Sequence, residues 1–152
     1  MRVWRLTRPP YLDSAFEGTG SATNGGRWNA PGSFVVYTAE HLSLAALEVL
    51  VHFDPDLTPN EFLAIPADVP DTLIGATVSV QSLPARWRTE PAGSELLAIG
   101  KAWLGAGVHV ALVVPSAVIP HEHNVLLNPL HPDFAQVRVG TPEPFSSDGR
   151  LA

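Results

Sequence analysis

The chain has 152 residues, 45% of them hydrophobic and 16% charged, which fits one compact domain with a sizeable core and excludes a disordered segment. Its formal charge of −6 repels a phosphate backbone and argues against a nucleic-acid binder, while leaving room for a local basic pocket for one small anion. Without cysteine there are no disulfides and no thiolate metal sites, which fits a cytoplasmic location, and no apolar run is long enough to cross a bilayer. The opening MRVWRLTRPP carries some positive charge with no apolar stretch behind it, unlike a signal peptide.

Taken in order, residues 3–7 alternate as a first strand, ended by Pro9 and Pro10. Residues 11–33 hold five glycines and little periodicity, and read as a long ordered loop of functional type with Trp28 in its middle. Residues 34–39 form a strand after a Pro-Gly turn, and a helix follows over 43–53, with Ser43 as its cap. Asp54-Pro55 and Thr58-Pro59 break that helix. Short strands are expected over 61–66 and 77–81, with a loop over 84–90 that sets an arginine on either side of Trp87. A second helix runs over 94–104, capped by Ser94 and stopped by Gly105. The most apolar strand, 108–114, is expected to be central and to end at Pro115-Ser116. Residues 119–133 read as a loop dense in His, Asn and Pro, 134–139 as a late strand, and the tail as irregular. Fifteen prolines and twelve glycines keep the elements short, so the class is α+β: a single compact domain over 1–152 with a mixed or antiparallel central sheet and a few helices.

The helix over 43–53 carries one charged side chain on a nearly all-apolar surface. At about 100° per residue, Glu48 shares a face with Leu44, Leu47 and Val51. A helix apolar nearly all round is buried, so Glu48 belongs in or at the edge of the core. Desolvating a carboxylate costs several kcal/mol, so something compensates it or it lines a cleft. Pairing with a buried arginine for architecture alone is the plain alternative.

Other motifs carry less. GTGSATNGG is glycine-rich but lacks the GK[ST] ending and the following helix of a phosphate loop. His121, His123 and His131 fall in a Pro-rich loop and read as surface or loop-locking residues; no metal is assigned. No GxSxG surrounds Ser116. What remains is Arg27, Tyr37, Glu48 and Ser116. This set suits a ligand with phosphate at one end and a ring and sugar at the other. Arginine holds phosphate oxygens bidentately, a tyrosine ring faces a planar cationic base, and a carboxylate stabilises positive charge on a sugar carbon.

Four segments resemble the RES domain family: GGRWNAPGSFVVYTAEHLSLAALEVLVH, the Gly-x-x-Trp of GKAWL, VPSAVIPHEHNVLLNPLHPDFAQV, and the closing F-x-x-D-x-R-L. The resemblance spans residues 4–151, with one departure at Ser147, where an aromatic is expected before Asp148. It implies a fold similar to ADP-ribosyltransferases and the toxin of a bacterial type II toxin–antitoxin pair, partnered by an Xre-like helix-turn-helix antitoxin. It further implies cleavage of the nicotinamide–ribose bond of NAD, by hydrolysis or with inorganic phosphate as co-substrate, with protein mono-ADP-ribosylation as the alternative. A non-catalytic antitoxin- or nucleotide-binding module is the alternative from another class, and a homo-oligomer within the antitoxin complex stays open. The family's arginine, tyrosine, glutamate and serine fall on Arg27, Tyr37, Glu48 and Ser116. Their implied roles are diphosphate binding, nicotinamide stacking, ribose stabilisation and positioning. Trp28, Asn124 and Asn128 are further candidate contacts to NAD, although loop-bracing bonds explain the two asparagines equally well. The partner is expected to silence the enzyme by lying across an open cleft beside Arg27.

Overall fold

The computed structural model describes residues 1–52 and 61–151. The end of the expected helix at Phe53 and its breakers at Asp54-Pro55 and Thr58-Pro59 lie outside the described residues.

Among the described residues the strands are β1 (Arg2–Thr7), β2 (Val36–Ala39), β3 (Phe62–Asp68), β4 (Ala111–Pro115), β5 (His123–Leu127), β6 (Arg138–Val139) and β7 (Glu143–Phe145). The α-helices are α1 (Thr19–Asn24), α2 (Leu42–Leu50) and α3 (Ser94–Ala106). The strands form one sheet in the order β4-β5-β2-β1-β3-β6, with β7 also on β3. Every ladder between these strands is antiparallel. This is the expected α+β class, with the antiparallel form of the sheet.

Alternation along the strands divides the core in two. On one face Val3, Val36, Val113, Val125 and Leu127 pack with Val69, Leu73 and Val137. On the other, Leu6, Ala39 and Ala64 meet Leu44 and Ala45 of α2. Farther along that same face, Leu112, Val114 and Leu126 meet Leu96 of α3 together with Trp28 and Trp87. Tyr37 pairs with Leu126, and Ala39 with Asn124, so all four side chains point to the helix-bearing face.

Several expectations give way. The loop expected over 119–133 contains β5, which lies between β4 and β2 in the sheet. The polar run His121–Asn124 disguises it, yet Val125, Leu126 and Leu127 are fully buried. β4 is the end strand of the ladder rather than a central one. It is apolar because both its faces are covered, and the 75–78 segment also donates to its carbonyls at Ala111 and Val113. Residues 77–81 make no strand; Ser79 caps a 3-10 turn over Val80–Ser82. Residues 134–139 form a 3-10 helix, Pro132–Gln136, before the two residues of β6, because His131 Nδ1 accepts the Asp133 N–H and starts a turn. Ser43 and Ser94 are not caps: His41 and Gly93 hold those positions without side-chain bonds. α3 runs past Gly105 to Gly107, whose φ of 61° supplies the left-handed stop. The loop over 11–33 contains α1, and the tail contains β7.

Candidate active site

Glu48 stands on the face of α2 that lies over the sheet, half-buried. Its Oε1 accepts a hydrogen bond from Ser116 Oγ at 2.7 Å and another from Asn124 Nδ2 at 2.6 Å. Ser116 directly follows β4 and is fully buried; its Oγ also accepts from the backbone N–H groups of Val118 at 3.0 Å and Ile119 at 3.1 Å. Both hydroxyl lone pairs are thus occupied, and the proton is directed at the carboxylate. The serine is an anchor for Glu48, its oxygen held by two backbone N–H groups and its proton given to the carboxylate. No cation pairs with Glu48 among the described residues, so the architectural Glu–Arg pair is not what holds it. Its Oε2 has no hydrogen-bond partner among the described residues.

Asn124 owes its place to register. Its partner Ala39 lies two residues beyond Tyr37 on β2, so Asn124 and Tyr37 are diagonal neighbours, roughly 7–8 Å apart on one face. Asn124 Oδ1 is buried and unpartnered among the described residues. The Tyr37 hydroxyl donates to Asn29 Oδ1 at 2.6 Å and accepts from the Trp28 N–H at 3.2 Å. Burial pushes the phenol up to about 12, with the two neighbouring backbone N–H groups and the Arg27 charge pulling the other way. The hydroxyl is therefore tied to the arginine-bearing turn, and the ring is what remains for a ligand.

Arg27 sits in a tight turn closed by the Gly26 N–H on the Asn29 carbonyl at 2.8 Å. Asn29, missed from sequence, is the hub of this turn: its Nδ2 donates to the carbonyls of Ser21, Ala30 and Ser33, and its Oδ1 takes the tyrosine. Its position before Ala-Pro-Gly signals a turn and nothing more. Gly26 has no room for a side chain, since a Cβ there would come 2.5 Å from the Tyr37 hydroxyl. The Arg27 side chain is 17% exposed. Its Nη1 donates to the carbonyls of Trp87 at 3.0 Å and Thr89 at 2.9 Å, and its Nη2 to Glu90 Oε2 at 2.7 Å. On the far side of the same loop Arg88 Nε donates to the Ala117 carbonyl at 2.8 Å. Residues 87–90 thus tie the Arg27 turn to the turn that holds Ser116. Neither Arg88 nor Glu90 carries a sequence signal beyond flanking Trp87.

The other candidates fall elsewhere. Trp28 is 2% exposed, its ring packed with Trp87 and Leu96. A Cβ on Gly100 of α3 would collide with the Trp28 carbonyl, which accounts for the glycine of GKAWL. Trp28 supports the turn from the core. Asn128 lies four residues beyond Asn124, about 13 Å along the strand, where its Oδ1 accepts from Leu130 N–H and braces the loop. His131 is a loop lock, with Nε2 on the Gly107 carbonyl. Glu40, His41 and Glu122 bring ligand-type atoms within 4.8 Å of one another, but Glu40 Oε1 already accepts the His123 N–H. A cavity of about 460 Å³ lies between α3 and the 29–33 turn and is lined by neither Arg27, Glu48 nor Ser116. The half-buried Glu48 carboxylate, with one oxygen bare among the described residues, lies outside that cavity.

The RES domain family matches residues 2–148. A "Toxin Res" of Photorhabdus laumondii subsp. laumondii is 40% identical over 88% of this chain and 85% of its own length. A "Prs ADP-ribosylating toxin" of Sphingobium sp. is 32% identical over 97% of this chain and 94% of its own. The M.tuberculosis MbcT-MbcA toxin-antitoxin complex contains a chain of the same fold, with a TM-score of 0.76 at 17% identity, covering 95% of this chain and 84% of that one. With a match across nearly its whole length and toxins as its curated relatives, the chain belongs to the RES domain family.

Proposed function

We propose that this protein is the toxin of a toxin–antitoxin pair and that it depletes NAD by cleaving the nicotinamide–ribose bond. The observation that carries this reading is the Glu48 carboxylate: Oε1 is pinned by two neutral donors, no cation neutralises it among the described residues, and Oε2 has no partner there. Such a group offers an uncompensated charge to a substrate that becomes cationic. Nicotinamide leaves a pyridinium as a neutral base, so little acid catalysis is needed. Positive charge grows on the ribose carbon instead, and a fixed carboxylate stabilises it more in the transition state than in the ground state. Ser116 and Asn124 hold that carboxylate in place. The Tyr37 ring orients the nicotinamide, and Arg27 takes the diphosphate. Water, which gives up a proton to solvent, or inorganic phosphate then attacks the ribose carbon, forming the new C–O bond as the C–N bond breaks. Chromatography of purified protein incubated with NAD should show free nicotinamide. If NAD is recovered intact, the reading fails.

The relative named as an ADP-ribosylating toxin favours a second reading, transfer of ADP-ribose to a protein from the same site. NAD labelled in its adenylate half separates the two, since the label ends either on protein or as free ADP-ribose species. An Xre-type antitoxin fits both, with any operator contact left to that partner, because a chain of charge −6 is a poor DNA ligand.

A further inference from the structure

Arg27 has its two edges in different use. Nη1 donates to two main-chain carbonyls, those of Trp87 and Thr89, which fixes the plane of the guanidinium. The Nε–Nη2 edge is the one that takes two oxygens of a phosphate or carboxylate in parallel. In this structure it is half used: Nη2 donates to Glu90 Oε2 at 2.7 Å, and Nε has no partner among the described residues. The two side chains also differ in environment, Arg27 being 17% exposed and Glu90 70%. An anion that leaves from the Glu90 side returns to water at little cost. The guanidinium, left largely buried, needs a replacement.

The loop backbone need not move for this exchange. The Trp87 ring is buried in the core, its carbonyl and that of Thr89 are held by Arg27, and Arg88 is tied to Ala117. Only the Glu90 side chain has to rotate.

We propose that Glu90 is a built-in competitor for anions at Arg27, its carboxylate occupying the Nη2 end of the edge that a ligand's diphosphate takes and swinging out to solvent as the ligand is seated. The proposal rests on the assignment of Arg27 to the diphosphate of NAD. A tethered carboxylate acts at an effective concentration of about millimolar or more, so it screens out weak monoanions. A diphosphate displaces it by offering two oxygens and a higher charge.

Calorimetric titration with inorganic pyrophosphate, and steady-state kinetics with NAD, would be run on wild type, Glu90→Gln and Glu90→Ala, with melting curves to confirm that each variant folds. The expected result is about 2- to 5-fold tighter pyrophosphate binding and a matching fall in KM for both variants, the scale of an exposed ion pair. Arg27→Gln should abolish pyrophosphate binding. Unchanged or weaker binding in both Glu90 variants overturns the proposal and makes Glu90 a brace for Arg27. If pyrophosphate binds more tightly but NAD is not cleaved by any form, the competitor stands and the NAD reading falls. If NAD is turned over normally while pyrophosphate affinity is the same in all three forms, the NAD reading stands and the competitor falls.

Discussion

The two flanks of the site hold their charges by opposite means. Glu48 is gripped by neutral donors from two strand ends, and nothing cancels its charge among the described residues. Arg27 is gripped by carbonyls from one loop and already has an exposed carboxylate beside it. A charge left uncompensated is poised to respond to one that develops during reaction; a charge with a resident counterion exchanges one anion for another. On the proposed function, the first contributes to the chemical step, and the second to binding that is the same in ground and transition states.

The comparison can be broken most directly at the carboxylate. Glu48→Gln keeps an oxygen to accept from Ser116 and Asn124, so the fold should survive and calorimetry should show NAD binding little changed. We expect kcat for nicotinamide release to fall roughly 10²-fold or more, the scale of one lost electrostatic stabiliser. A variant that turns over normally, or that unfolds, would put Glu48 among the structural residues. At the other flank, Arg27→Lys replaces a planar fork with a point charge that cannot serve two carbonyls and an anion together. Here kcat/KM should drop about 10- to 100-fold, with most of the loss in KM, as expected for one or two charged hydrogen bonds. If kcat alone falls, the division between the two flanks is wrong.

The smallest effect sharpens the link between the flanks. The Tyr37 phenol is pushed up to about 12 from an ordinary value of 10, chiefly by burial, while the Arg27 charge lowers it. Phenolate absorbance from this residue should therefore be absent from the folded protein at pH 10–11, with the upward shift growing in Arg27→Gln. Because the folded chain keeps a proton that the unfolded chain releases, stability should decline as pH rises from 10 towards 12. Tyr11, the other tyrosine, is exposed, so the titration is read in a Tyr11→Phe background, where a phenolate signal near pH 10 in the folded protein would contradict the packing of Tyr37 against the Arg27 turn.

Glu48 can be found from sequence by physics alone, as one charge on a helix otherwise apolar, and the family resemblance supplies Arg27, Tyr37 and Ser116 in order. Asn124 is visible as a residue type, but its role depends on β5. That strand hides because its first residues are His and Asn beside a Pro-rich turn, a composition that local patterns assign to loops. Only burial between two neighbouring strands makes it a strand, and burial is a property of the whole sheet. Asn29 and Glu90 are invisible for a related reason. Their partners lie 8 and 63 positions away in the chain, and nothing in their own neighbourhood announces them.

Strand register acts here as a lock on chemistry. The hairpin between β4 and β5 is pinned by the Ser116 N–H on the Glu122 carbonyl, and β5 is pinned to the end of β2 by the Glu40 N–H on the His123 carbonyl. One residue of slip would turn Asn124 to the opposite face and bring His123 or Val125, according to its direction, to the place beside Glu48. Either way the carboxylate would lose the Asn124 amide while the ladder kept its hydrogen bonds. On the proposed function, a chain mispaired in this way would be sheet-like by spectroscopy yet inactive towards NAD, so activity would hang on the fidelity of a single turn.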